Sequence, residues 1–400
     1  MPAISKRTAQ LGTENAFVVL AEVTALQRAG KDIIMFSVGQ PDFLTPVHVQ
    51  DKAIEAIRGG RHGYTPAPGL SELRSVVAKS MGEFRGLDIK PDDVVVTAGA
   101  KPMIAYAIHT TTDYGVGDEV ICPVPGFPIY SSQTAASGAV PVPLMLRESR
   151  DFAFDPADLE RAITPRTRLL ILNSPHNPTG GLLTRQNLED IATILRKHPD
   201  IWIYSDEIYS RLTYDESYTS IASIPDMYER TIIADGASKA WAMTGWRIGF
   251  ASNPILAPHF TRWVINTESC ASQISQWAAI EAIGGPQETT VAMKNEFHAR
   301  RDLIVKLLND VPGVHCRMPG GAFYAWPNVT EACRMVGVPN SEELRKRLLT
   351  EAGVAVLSDI HFGAKVPGDG EHVRFSYAAS REMITEGVSR MRDFIVRNTD

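Results

Sequence analysis

Cysteine is scarce in this sequence. Its four cysteines, Cys122, Cys270, Cys316 and Cys333, lie far apart and form no C-x-x-C pair. Such spacing predicts neither a disulfide framework nor a zinc site, so we expect no bound metal. A buried thiol is the ordinary state of a free cysteine, and we expect it for Cys270 rather than a nucleophilic role.

Long apolar runs and an excess of positive charge are missing as well. No run is long enough to span a bilayer, and the apolar stretch 17–21 stops at Glu22, too early for a signal peptide. We therefore expect a cytoplasmic protein with no membrane partner. Lysine and arginine total 40 against 46 acidic residues, a net charge of −6, which offers no basic face for nucleic acid.

The length of 400 residues predicts more than one domain, because one hydrophobic core rarely serves so long a chain. Between about 50 and 290, short apolar strands alternate with helical stretches, which is typical of an α/β domain with a mostly parallel sheet. We expect an N-terminal segment (1–45) that joins a small C-terminal α+β domain (291–400), and a large domain between them (46–290). A helix is predicted over 13–30, and strands are predicted at 94–96, 119–122, 169–172, 201–204 and 231–233.

Lys239 has unusual surroundings, since small and aromatic apolar residues enclose it within the segment 235–249. Burial there would remove water from the ammonium group and lower its pKa. A lysine that is neutral near physiological pH can form a Schiff base with a carbonyl compound. A lysine that extends its head to water fits the pattern equally well, so Lys239 alone decides nothing.

Polar side chains follow the apolar runs in this part of the chain. Asn177 comes after the run 169–172, Asp206 and Tyr209 come after 201–204, and Arg247 stands eight residues beyond Lys239. Ligand groups collect beyond the carboxyl ends of parallel strands, so these side chains are predicted to converge on one small molecule. The set suits pyridoxal phosphate: an amine for its aldehyde, a guanidinium for its phosphate and a carboxylate for its pyridine nitrogen, with Tyr209 and Asn177 on its phenolic oxygen.

Four motifs carry a resemblance to a known family. They are Ser-Lys-x-x-x-Met-Thr-Gly-Trp-Arg-x-Gly at 238–249, Asn-Pro-Thr-Gly at 177–180, Asp-Glu-Ile-Tyr at 206–209 and Gly-Gln-Pro-Asp-Phe at 39–43. From about Leu11 to Arg392 the chain resembles the class I/II aminotransferases of pyridoxal phosphate fold type I, in particular the branch containing many bacterial aspartate aminotransferases. The resemblance implies a large domain with a mostly parallel seven-stranded sheet flanked by helices, and a smaller α+β domain.

The resemblance also implies roles for individual residues. Lys239, Asp206 and Tyr209 would be catalytic. The cofactor would be held by Gly99, Ala100, Lys101, Phe127, Asn177, Asp206, Tyr209, Ser238, Lys239 and Arg247, and by Tyr64 of the neighbouring subunit. Gly39, Asn173 and Asn177 would line the substrate side, where Arg374 would bind the α-carboxylate with its planar guanidinium.

An enzyme of this kind moves an amino group from an L-amino acid to a 2-oxo acid, by a ping-pong mechanism through pyridoxamine phosphate. Its partners would be these small molecules and a second copy of the chain, in a homodimer with shared active sites. Lyases, β-eliminases and oxidases use the same cofactor residues, so these reactions remain alternatives. A DNA-binding regulator is the alternative of another class. It needs an added N-terminal domain, whereas the resemblance begins near residue 11.

Several positions depart from the common form of the family and leave the substrate open. Gly236 stands where many relatives carry a phosphate-binding serine. Lys101 occupies a position that some members acting on acidic substrates use to reach a distal carboxylate. Ala16 stands where those members often place a hydroxyl residue, and the covering stretch 12–17 is unusual in carrying Glu14. The amino donor, the oxo-acid acceptor and the roles of Glu14, Lys101 and Cys270 in specificity are therefore not predicted.

Overall fold

The structure is a computed structural model that describes residues 2–12 and 14–399. Its α-helices are α1 (Lys6–Gln10), α2 (Asn15–Arg28), α3 (Val47–Arg58), α4 (Ser71–Arg85), α5 (Lys101–Thr111), α6 (Ile129–Ser137), α7 (Pro156–Ala162), α8 (Arg185–Leu195), α9 (Ala237–Ala240), α10 (Ala257–Thr267), α11 (Gln273–Gly284), α12 (Glu288–Asn309), α13 (Thr330–Met335), α14 (Ser341–Arg347) and α15 (Arg381–Arg397). Its strands are β1 (Ile34–Met35), β2 (Val94–Thr97), β3 (Glu119–Val124), β4 (Val140–Met145), β5 (Thr167–Asn173), β6 (Trp202–Asp206), β7 (Thr231–Gly236), β8 (Gly249–Ser252), β9 (Tyr324–Ala325), β10 (Val354–Ala355), β11 (Leu357–Ser358) and β12 (Val373–Ser376).

A seven-stranded sheet forms the centre of the molecule, in the order β2-β8-β7-β6-β5-β3-β4. Neighbours from β7 to β4 pair in parallel, whereas β8 runs antiparallel to both β7 and β2. The mostly parallel sheet is thus confirmed. The predicted strands correspond to β2, β3, β5, β6 and β7, although the strand predicted at 201–204 begins one residue before β6. The helix predicted over 13–30 is α2, and Thr13 lies outside the described residues.

Both faces of this sheet are covered, because alternate residues of its strands enter different cores. Val94 and Val96 of β2 pack in a cluster with residues of α3, α4 and α11. Val95, between them, packs in another cluster with residues of α5 and α10. Strands buried on both faces read as continuous apolar runs, which is why β2, β5 and β7 were visible in the sequence.

Local signals fix where several helices begin and end. The Thr184 side chain accepts a hydrogen bond from Asn187 N, and the Asn187 side chain accepts one from Thr184 N, a capping box at the start of α8. Asp155 caps α7, whose first residue is Pro156. At the other end of α4, Gly86 adopts φ of 69°, a left-handed conformation that glycine tolerates without strain.

A smaller sheet, β11-β12-β9, lies in the C-terminal part of the chain. The N-terminal segment reaches this part through β1, which pairs in parallel with β10. Phe36 packs on Phe375 of β12 with ring centroids 5.3 Å apart, and a Cβ at Gly387 of α15 would come within 2.3 Å of Phe36. No helix in the described part of the chain is long and apolar enough to cross a membrane.

A buried ion cluster lies between α4 and the large sheet. Arg85 Nε donates to Glu207 at 2.6 Å and Arg85 Nη2 donates to Asp235 at 2.9 Å, with the Arg85 and Glu207 side chains fully buried. Ser205 and Ser220 donate to the other oxygen of Glu207. Both carboxylates thus accept from Arg85, while its buried Nη1 has no hydrogen-bond partner among the described residues. Removing this cation would leave two carboxylates buried beside each other.

Arg85→Met is expected to lower the free energy of unfolding by about 3–5 kcal/mol, because it removes the cation that balances Glu207 and Asp235. Urea unfolding followed by circular dichroism measures the change. The matched control is Arg185→Met, which removes an exposed pair with Glu189 one helical turn away and should cost less than about 0.5 kcal/mol. Equal losses in the two variants would contradict the importance assigned to the buried cluster.

Candidate functional site

A cavity of about 490 Å³ opens at the carboxyl edge of the large sheet. Strand register brings the ends of its strands level there, since Asn173 pairs with Asp206 and Asp206 with Ala234. Most residues that the sequence predicted for the site line this cavity: Gly39, Ala100, Lys101, Phe127, Asn173, Asn177, Asp206, Tyr209, Ser238, Lys239, Arg247 and Arg374.

Lys239 enters the cavity from α9, which begins directly after β7. Its Nζ donates to the backbone oxygen of Gly39 at 2.6 Å. Burial lowers the pKa of Lys239 to about 8, and the carboxylate of Glu14 partly opposes that shift. A substantial share of the amine is therefore neutral at mildly alkaline pH. Gly39 must be small, since a Cβ there would lie 2.1 Å from Tyr324 Oη.

Asp206 is buried at the end of β6, and burial raises the pKa of its carboxyl to about 6. The Tyr130 hydroxyl donates to its Oδ2 at 2.7 Å and opposes part of that rise in pKa. An ionised carboxylate with one such donor would be stabilised further by a cationic partner in the cavity. Tyr130 was not predicted as a site residue. It lies near the start of α6, only three residues after Phe127, and this closeness to a predicted site residue could have indicated it.

Arg374 is a buried cation at the opposite wall of the cavity. Its Nη1 donates to Asn177 Oδ1 at 2.8 Å and its Nη2 donates to Ser37 O at 2.6 Å, and both acceptors are uncharged. Its Nε is buried and has no hydrogen-bond partner among the described residues. Burial lowers the pKa of this guanidinium. A buried cation whose protein acceptors are neutral provides a strong site for a carboxylate.

Asparagine and tyrosine side chains connect these charged groups. Asn173 donates to the backbone oxygen of Asp206 at 3.0 Å and accepts from Asn177 N at 3.0 Å, so its amide holds two other site residues in place. The hydroxyls of Tyr209 and Tyr324 are hydrogen-bonded at 2.7 Å. Tyr324, on β9, was also missed, because nothing near it in the sequence marks it as a site residue.

Arg247 lies at the same edge of the sheet, although it does not follow the carboxyl end of a parallel strand. It precedes β8, and because β8 is antiparallel its first residue, Gly249, pairs with the last residues of β7 and β2. Arg247 Nη2 donates to Ala98 O at 3.3 Å, and a Cβ at Gly99 would lie 1.9 Å from that nitrogen. Glycine at 99 therefore lets the guanidinium lie against the loop before α5, where free N–H groups can bind phosphate.

Gly236, where many relatives carry a serine, has close neighbours. A Cβ at this position would lie 2.9 Å from Ile248 O and 3.1 Å from Gly249 Cα. The backbone of β8 thus occupies the space that a serine would need. Ser238, two residues on, lines the cavity.

Lys101 and Phe127 lie together at the mouth of the cavity. Lys101 Nζ is 5.4 Å from the Phe127 ring centroid and forms an ion pair of 2.5 Å with Glu14. Tyr64 is 89% exposed and does not line the cavity of its own chain. Cys270 is partly buried and is likewise absent from the lining.

The residues of the cavity fit pyridoxal phosphate. They offer a buried amine with a lowered pKa, a buried carboxylate that a protonated nitrogen would stabilise, and an arginine beside a helix start. No cluster of three or more histidine, cysteine or acidic side chains suited to a metal ion occurs in residues 2–12 and 14–399.

Comparisons with known proteins agree with this geometry. The sequence model of the family described as aminotransferase class I and II matches residues 31–391. The chain is 38% identical to an aspartate aminotransferase of Geobacillus stearothermophilus, with 98% of both chains covered. It is 37% identical to an asparagine–oxo-acid transaminase of Streptococcus mutans, with 99% of this chain and 100% of the relative covered. The crystal structure of an aspartate aminotransferase from Rhizobium meliloti superposes with a TM-score of 0.93 at 32% identity, over 100% of both chains.

Asp206→Asn is expected to stabilise the cofactor-free protein at pH 7.5 by about 2–3 kcal/mol, because ionised Asp206 is disfavoured by burial. A raised pKa means that stability is lost as pH rises from about 4 to about 6. The gain should therefore shrink by about 1 kcal/mol at pH 5. Chemical unfolding at both pH values measures it. The control, Asp51→Asn on the exposed face of α3, should show no such pH dependence. A gain that is equal at both pH values would contradict the assignment.

Proposed function

This chain belongs to the class I and II aminotransferases, and we propose that it performs their reaction with Lys239 as the proton-transferring base and Arg374 as the site of the substrate α-carboxylate. As a member of this family it has the α/β fold type I architecture and is a pyridoxal phosphate-dependent aminotransferase that moves an amino group between an amino acid and a 2-oxo acid. The lyase and oxidase alternatives are not favoured, because the relatives found are aminotransferases.

One observation carries the residue roles: Asp206 and Arg374, both buried, line one cavity with the partly buried Lys239, and the protein groups bonded to Lys239 and Arg374 are uncharged. When bound, pyridoxal phosphate supplies an aldehyde for the amino group and an electron-withdrawing ring. Arg374 orients the amino acid through its carboxylate, and the neutral Lys239 amine removes the Cα proton. Asp206 holds the proton on the pyridine nitrogen, with Tyr130 fixing the carboxylate.

The phosphate end and the ring edge complete the proposed arrangement. Arg247, Ser238 and the N–H groups of Ala100 and Lys101 would hold the phosphate beside Gly99, and Phe127 would pack on the ring. Tyr209 and Asn177 hydrogen-bond the phenolic oxygen. Gly39 and Asn173 line the substrate side, and closure of the pocket around them excludes water.

The division into an N-terminal segment (1–45), a large domain (46–290) and a small domain (291–400) stays a prediction, supported by the pairing of β1 with β10. The cytoplasmic location predicted from the sequence likewise stays a prediction. The two curated relatives differ in the amino donor that their names state, aspartate in one and asparagine in the other. Family membership therefore gives the reaction, and side chains at the distal end of the cavity must select the donor.

Lys239→Ala and Lys239→Arg are expected to lower kcat for transamination by at least about 10³-fold, because neither side chain offers a neutral amine. Turnover with a panel of amino acids and 2-oxo acids, measured by chromatography of the products, tests this. Lys79→Ala, on an exposed part of α4, is the matched control and should retain activity. A Lys239→Arg protein with wild-type turnover would overturn the proposed base.

We further propose a homodimer in which Tyr64 reaches the phosphate end of the partner's cavity. Its support is an exposed apolar stripe on α3, formed by Val47, Ile54 and Ile57, which are 70%, 43% and 56% exposed. Leu44, just before this helix, is 85% exposed. A contiguous exposed apolar surface of this kind is typical of an interface.

Sedimentation equilibrium is expected to show a dimer, and Ile57→Glu should produce monomers with little activity, because each site needs Tyr64 from the other chain. Ile255→Glu, at a position that is 50% exposed, serves as the control and should remain dimeric. A wild-type monomer with full activity would exclude the shared site.

A further inference from the structure

The acidic side chain of Glu14 lies at the mouth of the cavity. It is next to Lys101, the lysine that could bind a carboxylate at the end of a substrate side chain. Glu14 precedes the first residue of α2, and its side chain makes no capping hydrogen bond to that helix. It extends instead to Lys101, the first residue of α5, with 2.5 Å between Oε2 and Nζ. The two side chains are only 23% and 44% exposed. Both side chains line the cavity, with Glu14 mostly buried and Lys101 partly open to solvent.

The charge of Glu14 acts on the interior of the cavity as well as on Lys101. Burial lowers the pKa of Lys239, and the Glu14 carboxylate opposes this shift more than any other charge does. The same carboxylate opposes the effect of burial on the pKa of Arg374. A negatively charged substrate group that enters this space would therefore meet a negative potential from Glu14.

Three uncharged side chains among the described residues line the cavity with this pair. Ala16, Phe17 and Phe127 line the cavity together with Lys101 and Glu14. The Lys101 ammonium lies 5.8 Å from the Phe17 ring centroid and 5.4 Å from that of Phe127. Within the described residues, the Glu14–Lys101 pair thus places an ammonium donor and a carboxylate acceptor, with no net charge between them, beside apolar side chains.

On the basis of the proposed function, which places the substrate α-carboxylate at Arg374, we propose that the Glu14–Lys101 pair selects amino acids whose side chains end in a carboxamide over dicarboxylic amino acids. A carboxamide is neutral, its carbonyl oxygen accepts from Lys101, and its NH₂ group donates to Glu14. A carboxylate that accepts from Lys101 would stand beside the Glu14 carboxylate and be repelled by its charge. An apolar side chain leaves the pair intact but gains no hydrogen bond.

Three carboxylates of one backbone length test this on the cofactor-loaded enzyme: succinamate with a terminal carboxamide, succinate with a terminal carboxylate, and butyrate with neither. Isothermal calorimetry should show succinamate binding about tenfold more tightly than either of the others. Glu14→Gln should raise succinate affinity about tenfold while changing succinamate affinity less than about threefold. The ratio of kcat/KM for asparagine to kcat/KM for aspartate should fall in parallel. Glu22→Gln, on α2 and paired with Arg345, is the matched control. It should change neither the ratio of succinate to succinamate affinity nor the ratio of kcat/KM for asparagine to kcat/KM for aspartate.

Wild-type preference for succinate, or a succinate-to-succinamate ratio that Glu14→Gln shifts less than twofold, would overturn the proposal. Butyrate bound as tightly as succinamate would overturn the carboxamide preference. Arg374→Met distinguishes a failure of the underlying function, because it should weaken all three ligands alike through their shared carboxylate. If that variant binds all three unchanged, the α-carboxylate assignment itself is wrong.

Discussion

Removal of water from charged groups at the carboxyl edge of the sheet is the constraint on which this structure depends. Asp206 and Arg374 are buried and Lys239 is partly buried, and in each case loss of water shifts the pKa towards the neutral form. Their protein partners are a backbone carbonyl, a tyrosine hydroxyl and an amide oxygen, none of which carries a compensating charge. The cavity thus presents charges that only a ligand with a cation and a carboxylate can balance.

The surroundings of the site limit the free energy that burial of these charged groups costs. Behind Asp206, the Arg85 cluster balances Glu207 and Asp235, so that two further carboxylates next to the site are paired. The strands that present the site residues are buried on both faces and pack as a rigid layer. A rigid layer is needed because unbalanced charges would otherwise be relieved by small movements that admit water.

Much of the fold and the site follows from the sequence, for identifiable reasons. The strands of the large sheet are continuous apolar runs, so β2, β5 and β7 could be located within a few residues. Asp206 and Lys239 follow such runs, and the parallel sheet brings them to one edge. Arg247 was predicted to lie at a strand end, whereas it precedes an antiparallel strand, because local sequence does not encode strand direction. Tyr130 and Tyr324 were not predicted, since their roles arise from contacts with residues 76 and 115 positions away. The Glu14–Lys101 pair, 87 positions apart, was also visible only in three dimensions.

The hydrogen bond from Arg374 to Ser37 spans 337 positions of the chain. During synthesis from the N-terminus, the large sheet with Lys239 and Asp206 can form long before Arg374 leaves the ribosome. The N-terminal segment docks in two steps. Ala16, Val19 and Val23 of α2 pack in a cluster with residues of β3, β5 and β6, whereas β1 has no partner strand until β10 exists and Phe36 has no partner ring until Phe375 is made. The binding pocket is therefore completed last in folding, and the newly made chain must carry β1 unpaired until then.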